Sequence, residues 1–333
     1  MAQSPPCASC SPGNRDHQPC GREPGPRRRA RADGAQPRHP GGPAGGAEHL
    51  VADAHDEAGL RAALGGREFD AVVQFVAFTP DQVERDLRVF DGRVGRYVFI
   101  SSASTYAKPV SRHVITEDTP QSNPFSQYAR DKIACEEVLR GSDGSLPWTI
   151  VRPSHTYGER GVPVNFHFGE PWAVLQRIRD GKPVIVQGDG ESLWTFTWNE
   201  DFAVGLVGLL GNPDAAGRAV HITSDESITW NQAFATIGAA LGVAPRLRHV
   251  STPMLVALRP DLEAPLTGDK SNTVVFDNTL VKRLVPGFSA PTTFAEGVRR
   301  ACAWLEQHPE HRRTDPGFDA FCDDVVARVD AWG

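Results

Sequence analysis

The sequence predicts an α/β protein, a doubly wound parallel sheet with a smaller C-terminal substrate domain. Three observations predict it. Val98-Phe99-Ile100 is a continuous apolar run, the pattern of a strand covered on both faces. Such runs alternate with amphipathic helices, as in Asp81 to Phe90, where Val83, Leu87 and Phe90 recur at helical spacing. Ser101, Ser102 and Ser104 follow the apolar run, where parallel strands reach their ligand edge.

The chain has 333 residues, enough for one large or two modest domains. Residues 1–47 are rich in Pro, Gly, Ala and Arg, and residues 2–49 contain no Val, Ile, Leu, Phe, Trp or Tyr. That composition cannot offset chain entropy by burial, so 1–47 is predicted to be disordered. Cys7, Cys10, His17 and Cys20 are ligand types for zinc, but no apolar residues accompany them and no metal is assigned. The segment holds seven Arg against three acidic residues, a net +4. With −6 over the whole chain the remainder carries −10, which argues against a nucleic-acid surface there. Six scattered cysteines form no disulfide framework, and neither a membrane span nor a signal peptide is legible, so a cytoplasmic location is expected.

From residue 48 the pattern changes. Glu48 to Asp53 reads as a short strand, His55 to Leu64 as a helix, Asp70 to Phe78 as a strand and Asp81 to Phe90 as the helix that crosses back. After Ser104 comes a Pro-bearing loop, then a helix opening at Tyr128-Ala-Arg-Asp-Lys132. Tyr128 and Lys132 are four apart and share a helix face. A phenol with a pKa of about 10 is a poor base at neutral pH, and a nearby ammonium stabilises its phenolate. With Ser102 to orient a hydroxyl or carbonyl, this set suits general acid/base work. A strand ends at Arg152-Pro153, and Ala173 to Arg179, Pro183 to Gln187 and Asp201 to Leu210 follow as helix, strand and helix. Ala219 to Thr223 is the last strand of the sheet. Trp230 to Leu241, Asp277 to Leu284 and Thr293 to Gln307 are helices, and a final helix near Phe318–Val329 is expected outside the core.

Val98 to Tyr106, Tyr128-x-x-x-Lys132, Trp148 to Gly158 and His221 to Trp230 together resemble the extended short-chain dehydrogenase/reductases, in the NAD-dependent epimerase/dehydratase branch. The resemblance spans about residues 48 to 308. It implies a Rossmann-like fold, with 48–160 and about 195–225 binding the dinucleotide, and 161–194 and 226–333 binding substrate. It implies Ser102, Tyr128 and Lys132 as catalytic residues and NAD or NADP as cofactor. Asp53, Phe75, Val76, Ala77, Ser101, Pro153, Tyr128 and Lys132 would contact that cofactor. Ser104, His155 and Trp194 would meet a sugar-like or other small-molecule substrate, and the chain would form a homodimer. His155 stands where many relatives have asparagine. Trp194 stands where many nucleotide-sugar enzymes place an arginine on the diphosphate, so it either stacks on a ring or packs in the core. A cofactor-impaired or RNA-binding relative of the same fold is the competing expectation.

The family's opening strand and its Gly-x-x-Gly-x-x-Gly turn, whose amides hold the pyrophosphate, are missing. Degenerate back-translation gives one account. Read one nucleotide later, Ala30 to His39 permits His-Glu-Leu-Thr-Val-Leu-Asn-Arg-Gly, and Ser11 to Pro19 permits Val-Leu-Gly-Thr-Gly-Ile-Ile-Ser. These read as a second strand with its loop and a first strand with its glycine turn, so a reading-frame change is expected to have replaced this N-terminus.

Overall fold

The computed structural model describes residues 29–32, 48–53, 56–167 and 169–331. Its elements begin with strands β1 (Arg29–Ala32) and β2 (Glu48–Val51), helix α1 (Glu57–Leu64), β3 (Val72–Gln74), α2 (Pro80–Phe90) and β4 (Tyr97–Ile100). There follow β5 (Val114–Ile115), α3 (Gln127–Gly141), β6 (Trp148–Pro153), β7 (His155–Tyr157), α4 (Trp172–Arg179) and β8 (Pro183–Gln187). Next come β9 (Leu193–Trp194), β10 (Phe196–Trp198), α5 (Asn199–Leu210), β11 (Arg218–Ile222), β12 (Ile228–Thr229) and α6 (Trp230–Leu241). The chain continues through β13 (Arg246–Val250), α7 (Thr252–Leu258), a π-helix (Glu263–Lys270), β14 (Val275–Phe276), α8 (Thr279–Leu284), α9 (Phe294–Gln307) and α10 (Pro316–Asp330).

The central sheet is parallel, in the order β11-β6-β4-β3. Successive side chains on a strand point to opposite faces, so an apolar run feeds two cores at once. On one face Tyr97, Phe99 and Ile150 pack with Leu60 of α1, Val83 and Phe90 of α2, and Cys135 and Leu139 of α3. On the other, Val98, Ile100 and Val151 pack with Phe202 and Leu206 of α5 and Val281 of α8. Each such apolar side chain contributes about 1.5–3 kcal/mol on burial. This is the doubly wound arrangement that the apolar strands imply.

A third core joins α4, β8, α6, α9 and α10 in the C-terminal half. The last helix differs from expectation, because Phe318, Cys322 and Val325 are buried in that core. Arg177 of α4, itself 2 % exposed, also pairs with Asp319 and Asp323 of α10. The apolar stripe of α10 therefore has a partner surface that its own sequence does not name.

Two further differences concern the N-terminal part. Arg29–Ala32, inside the segment expected to be disordered, is a strand paired antiparallel with β2, with Ala30 opposite Leu50. The rest of that segment, including Cys7, Cys10, His17 and Cys20, lies outside the described residues. The strand expected over Asp70 to Phe78 is only β3. It stops because the Gln74 side chain accepts the Val76 N–H at 2.7 Å and turns the chain. β3 is the edge of the described sheet, and Phe75 and Val76 just beyond it are 41 % and 38 % exposed.

Candidate active site

The site forms where β3, β4 and β6 end, at the N-terminal end of α3. After β4 the Ser101 N–H donates to the carbonyl of Val151 at 2.7 Å, holding the chain against β6. Ser102 then caps a 3-10 turn at Ala103–Thr105. Its Oγ accepts the Ser104 N–H at 3.1 Å and lies 2.9 Å from the Ser104 Oγ. α3 starts at Ser126, whose Oγ accepts the Ala129 N–H at 3.2 Å, a serine N-cap of the preferred kind. Tyr128 therefore falls in the first turn and Lys132 one turn later.

The Ser102 hydroxyl acts on the Tyr128 phenol. The Tyr128 ring is 38 % exposed, yet desolvation of the phenol pushes its pKa up to about 12. Ser102 opposes that shift, while the carboxylate of Asp269 adds to it. Lys132 is 1 % exposed, and its Nζ donates to the carbonyls of Ala77 at 2.7 Å and Ile100 at 2.8 Å. The ammonium stands 5.9 Å from the centre of the Tyr128 ring and 4.6 Å from that of Phe99. Desolvation lowers its pKa to about 8, so it stays mostly protonated at neutral pH.

The remaining sequence-predicted residues divide. Ala77 is buried at the floor beneath Lys132, and Phe75 and Val76 face solvent at the same strand end. Pro153 closes β6 opposite Ile222. Ser101 is turned away, its Oγ donating to Glu136 at 2.5 Å. Asp53 is exposed at the end of β2, which pairs with β1 and not with the four-stranded sheet. His155 lies on β7 with its ring 5.5 Å from Phe196, and burial, with a contribution from Lys270, lowers its pKa to about 3. Trp194 is 4 % exposed and packs against Trp230 at 6.2 Å.

Structure adds residues that sequence reasoning missed. Glu136, one turn beyond Lys132 and fully buried, accepts from Arg152 Nε at 3.0 Å and Nη2 at 2.6 Å. Gln121 and Arg140 also donate to it, at 3.0 and 2.6 Å. Burial alone would raise the Glu136 pKa, but the bonds and charge of Arg152 hold it below the usual carboxylate value. The i, i+4 relation of Glu136 to Lys132 was a signal for this. Lys108, Asp269 and Lys270 also border the site, and nothing local in sequence joins residues so far apart.

Residues 32–223 match the profile of the NAD dependent epimerase/dehydratase family, over half of the chain. The chain belongs to the NAD dependent epimerase/dehydratase family. Among its relatives, the 2'-dehydrokanamycin reductase of Streptomyces kanamyceticus is 30 % identical over 222 residues, which cover 66 % of this chain and 61 % of that protein. The chain thus matches about three fifths of that relative's length. An epimerase from Methanothermobacter thermautotrophicus shares the fold with a TM-score of 0.64 at 18 % identity, over 78 % of this chain and 79 % of that one. The UDP-glucuronic acid 4-epimerase of Bacillus cereus, solved with UDP-glucuronic acid and NAD, has a TM-score of 0.56 at 18 % identity, over 68 % and 67 %.

The residues present fit the nicotinamide end of this family's cofactor. Phe75 and Val76 are exposed next to Ala77, whose carbonyl accepts from Lys132, and two of the three Lys132 N–H donors are engaged, at Ala77 and Ile100. For the diphosphate end, no glycine-rich strand-to-helix turn occurs among the described residues. No group of three or more His, Cys, Asp or Glu is gathered for a metal among them, and no helix among them is long and apolar enough to cross a membrane.

Proposed function

We propose that this chain is built as an NAD(P)-dependent oxidoreductase or epimerase/dehydratase acting on a hydroxyl or keto group of a sugar-like small molecule. The observation that carries the reading is the buried Lys132 ammonium, 5.9 Å from the centre of the Tyr128 ring on the same helix face and bonded to the Ile100 carbonyl at the end of the strand that leads to Ser102. NAD, when bound, supplies the hydride acceptor or donor. Ser102 holds the substrate oxygen, and Tyr128 gives or takes the proton on it. The phenol is protonated at neutral pH, so it acts directly as the acid in carbonyl reduction. In the oxidative direction it needs a lower pKa, and Lys132 is the nearby cation suited to provide it once drawn off the Ala77 carbonyl. The names of the relatives support a sugar-like substrate, since they include a 2'-dehydrokanamycin reductase and a UDP-glucuronic acid 4-epimerase.

The test is reduction of a panel of keto sugars with NADH and NADPH. Tyr128→Phe should lower kcat about 10²- to 10⁴-fold while the melting temperature holds. Equal turnover in that variant would refute the assignment.

A second reading has its own support. β3 stands at the edge of the described sheet, and Lys132 bonds the strand-end carbonyls. A chain that keeps the catalytic half and lacks the glycine turn is cofactor-impaired as written. The shifted-frame reading of residues 11–39 would restore what is missing. NADH binding by the chain as written would count against this second reading.

A further inference from the structure

Three pieces of chain that build the site meet at the side chain of Asn123, which is 2 % exposed. Segment 120–123 runs back along the residues that follow the serine turn. The Ala107 N–H donates to the Pro120 carbonyl at 2.8 Å and the Lys108 N–H to the Ser122 carbonyl at 2.7 Å, while Tyr106 pairs antiparallel with Gln121. Asn123 is thereby laid against the turn that carries Ser102 and Ser104. Its Nδ2 donates to the Ser104 carbonyl at 2.9 Å and to the Gly268 carbonyl of the π-helix at 2.8 Å. Its Oδ1 accepts the Phe125 N–H at 3.2 Å, immediately ahead of Ser126, the N-cap of α3. An amide nitrogen has two protons and the amide oxygen none, so two carbonyls on one side and an N–H on the other fix the orientation of the group.

Both ends of this link are anchored. The Lys270 carbonyl accepts from Ser192 Oγ at 3.0 Å, Trp230 Nε1 at 3.2 Å and Gln187 Nε2 at 3.3 Å, which ties the π-helix to β8, to the chain ahead of β9 and to α6. The contact at Gly268 is close, since a β-carbon there would lie 3.1 Å from Phe125 Cβ and 3.2 Å from Asn123 Oδ1. On the other side, the Ser104 N–H donates to Ser102 Oγ at 3.1 Å, so a shift of the Ser104 backbone carries the Ser102 hydroxyl with it. A buried amide is costly to desolvate, and what it adds over an apolar side chain of the same size is a fixed geometry between the groups it joins. π-Helical turns are rare and concentrate at functional sites.

We propose that Asn123 is a positioning residue for the acid/base pair. By holding the Ser104 carbonyl, the Phe125 N–H and the Gly268 carbonyl on one planar amide, it sets the spacing between the Ser102 hydroxyl and the Tyr128 phenol. It also keys that spacing to the seating of the C-terminal half. The proposal rests on Ser102 and Tyr128 acting on the substrate oxygen, as above. Lys132 is held separately, by the carbonyls of Ala77 and Ile100, so the cofactor side of the site does not depend on Asn123.

Asn123→Asp keeps the shape and the acceptor for Phe125 and loses both donations. Hydrogen exchange followed by NMR, together with kcat and KM for the keto-sugar panel with NADH and NADPH, tests the role in the full chain. The Ser104 N–H reports on the Ser102 hydroxyl that accepts it. It should exchange about tenfold faster in the variant, the effect of one weakened hydrogen bond, while the Phe125 N–H and the amides of β4 keep their protection. kcat should fall about 10- to 100-fold with KM for the reduced cofactor unchanged, because misplacement of a positioned group costs turnover and leaves Lys132 in place. Asn123→Ala sets no carboxylate against the two carbonyls and should show the same Ser104 and kcat effects if the Asp variant does not fold. Unchanged Ser104 exchange, a rise shared by the β4 amides, or a full kcat beside a faster Ser104 would overturn the positioning role. An active Tyr128→Phe removes the acid/base reading and leaves the clamp to be decided by exchange. An inactive Tyr128→Phe beside a fully active Asn123→Asp removes the positioning role alone.

Discussion

Glu136 and Arg152 lock the helix that carries Tyr128 and Lys132 onto the central sheet, through two charge-assisted hydrogen bonds of 3.0 and 2.6 Å between fully buried side chains. The pair sets the rotation of α3 about its axis, and with it the direction in which Lys132, one turn earlier, enters the site.

Removing one member should therefore cost more than removing both. Glu136→Ala leaves the Arg152 guanidinium buried and uncompensated, and should destabilise the fold by about 3–5 kcal/mol in urea titration. The double replacement Glu136→Met with Arg152→Met should recover much of that loss. Additive losses would show that the two side chains act independently.

Stability should depend on pH at both ends of the range. His155 and His221 are buried, and desolvation lowers their pKa values to about 3 and about 4. Unfolded, each titrates near 6.5, so between pH 6.5 and 4 the unfolded chain binds more protons and stability falls as pH falls. At the alkaline end Lys132 titrates near 8 folded and near 10.4 unfolded, so stability rises through that window as its buried charge is lost. Melting temperatures across pH should show both slopes. His155→Phe should flatten the first and Lys132→Met the second.

Gly297→Ala inverts the usual helix rule. Alanine in a helix interior is normally better than glycine by about 0.5–1 kcal/mol. On α9, however, a β-carbon at 297 would overlap the Tyr157 hydroxyl and stand 2.9 Å from Trp198 Cε3. The overpacking cost of about 1–3 kcal/mol should win, giving a net loss in chemical denaturation. A stabilised variant would mean that α9 can shift away from β7 and β10.

Rebuilding residues 11–39 in the shifted frame should strengthen NAD binding. A larger thermal shift with NAD is expected from the rebuilt chain than from the chain as written. Hydrogen exchange should slow at Val72–Gln74 as that edge strand gains a neighbour. Equal shifts in the two chains would dispose of the frame account.

Much of the fold was legible because its signals are local. The apolar runs of β4 and β6, the stripes of α2 and α9 and the hydroxyl-rich strand end are each contained within a few turns or residues, where period and composition report directly on burial. Tyr128 and Lys132 were legible for the same reason, since four residues of helix place them on one face. Trp194 was only half legible. Its departure from an arginine could be read in sequence, but its place in the core depends on Trp230, Phe196 and the chain around them.

By itself, then, the sequence determined a two-faced parallel sheet and a serine, a tyrosine and a lysine at its ligand edge, because periodicity and i, i+4 spacing are properties of short stretches. Only tertiary structure decided that α10 belongs to a core, that Glu136 answers Arg152, and that Asn123 draws Gly268, Asp269 and Lys270 against the serine turn. Those contacts join residues from 16 to more than 140 positions apart. Charge and hydrogen-bonding capacity are visible in a sequence, whereas the partner that satisfies them is chosen by where folding brings the chain back.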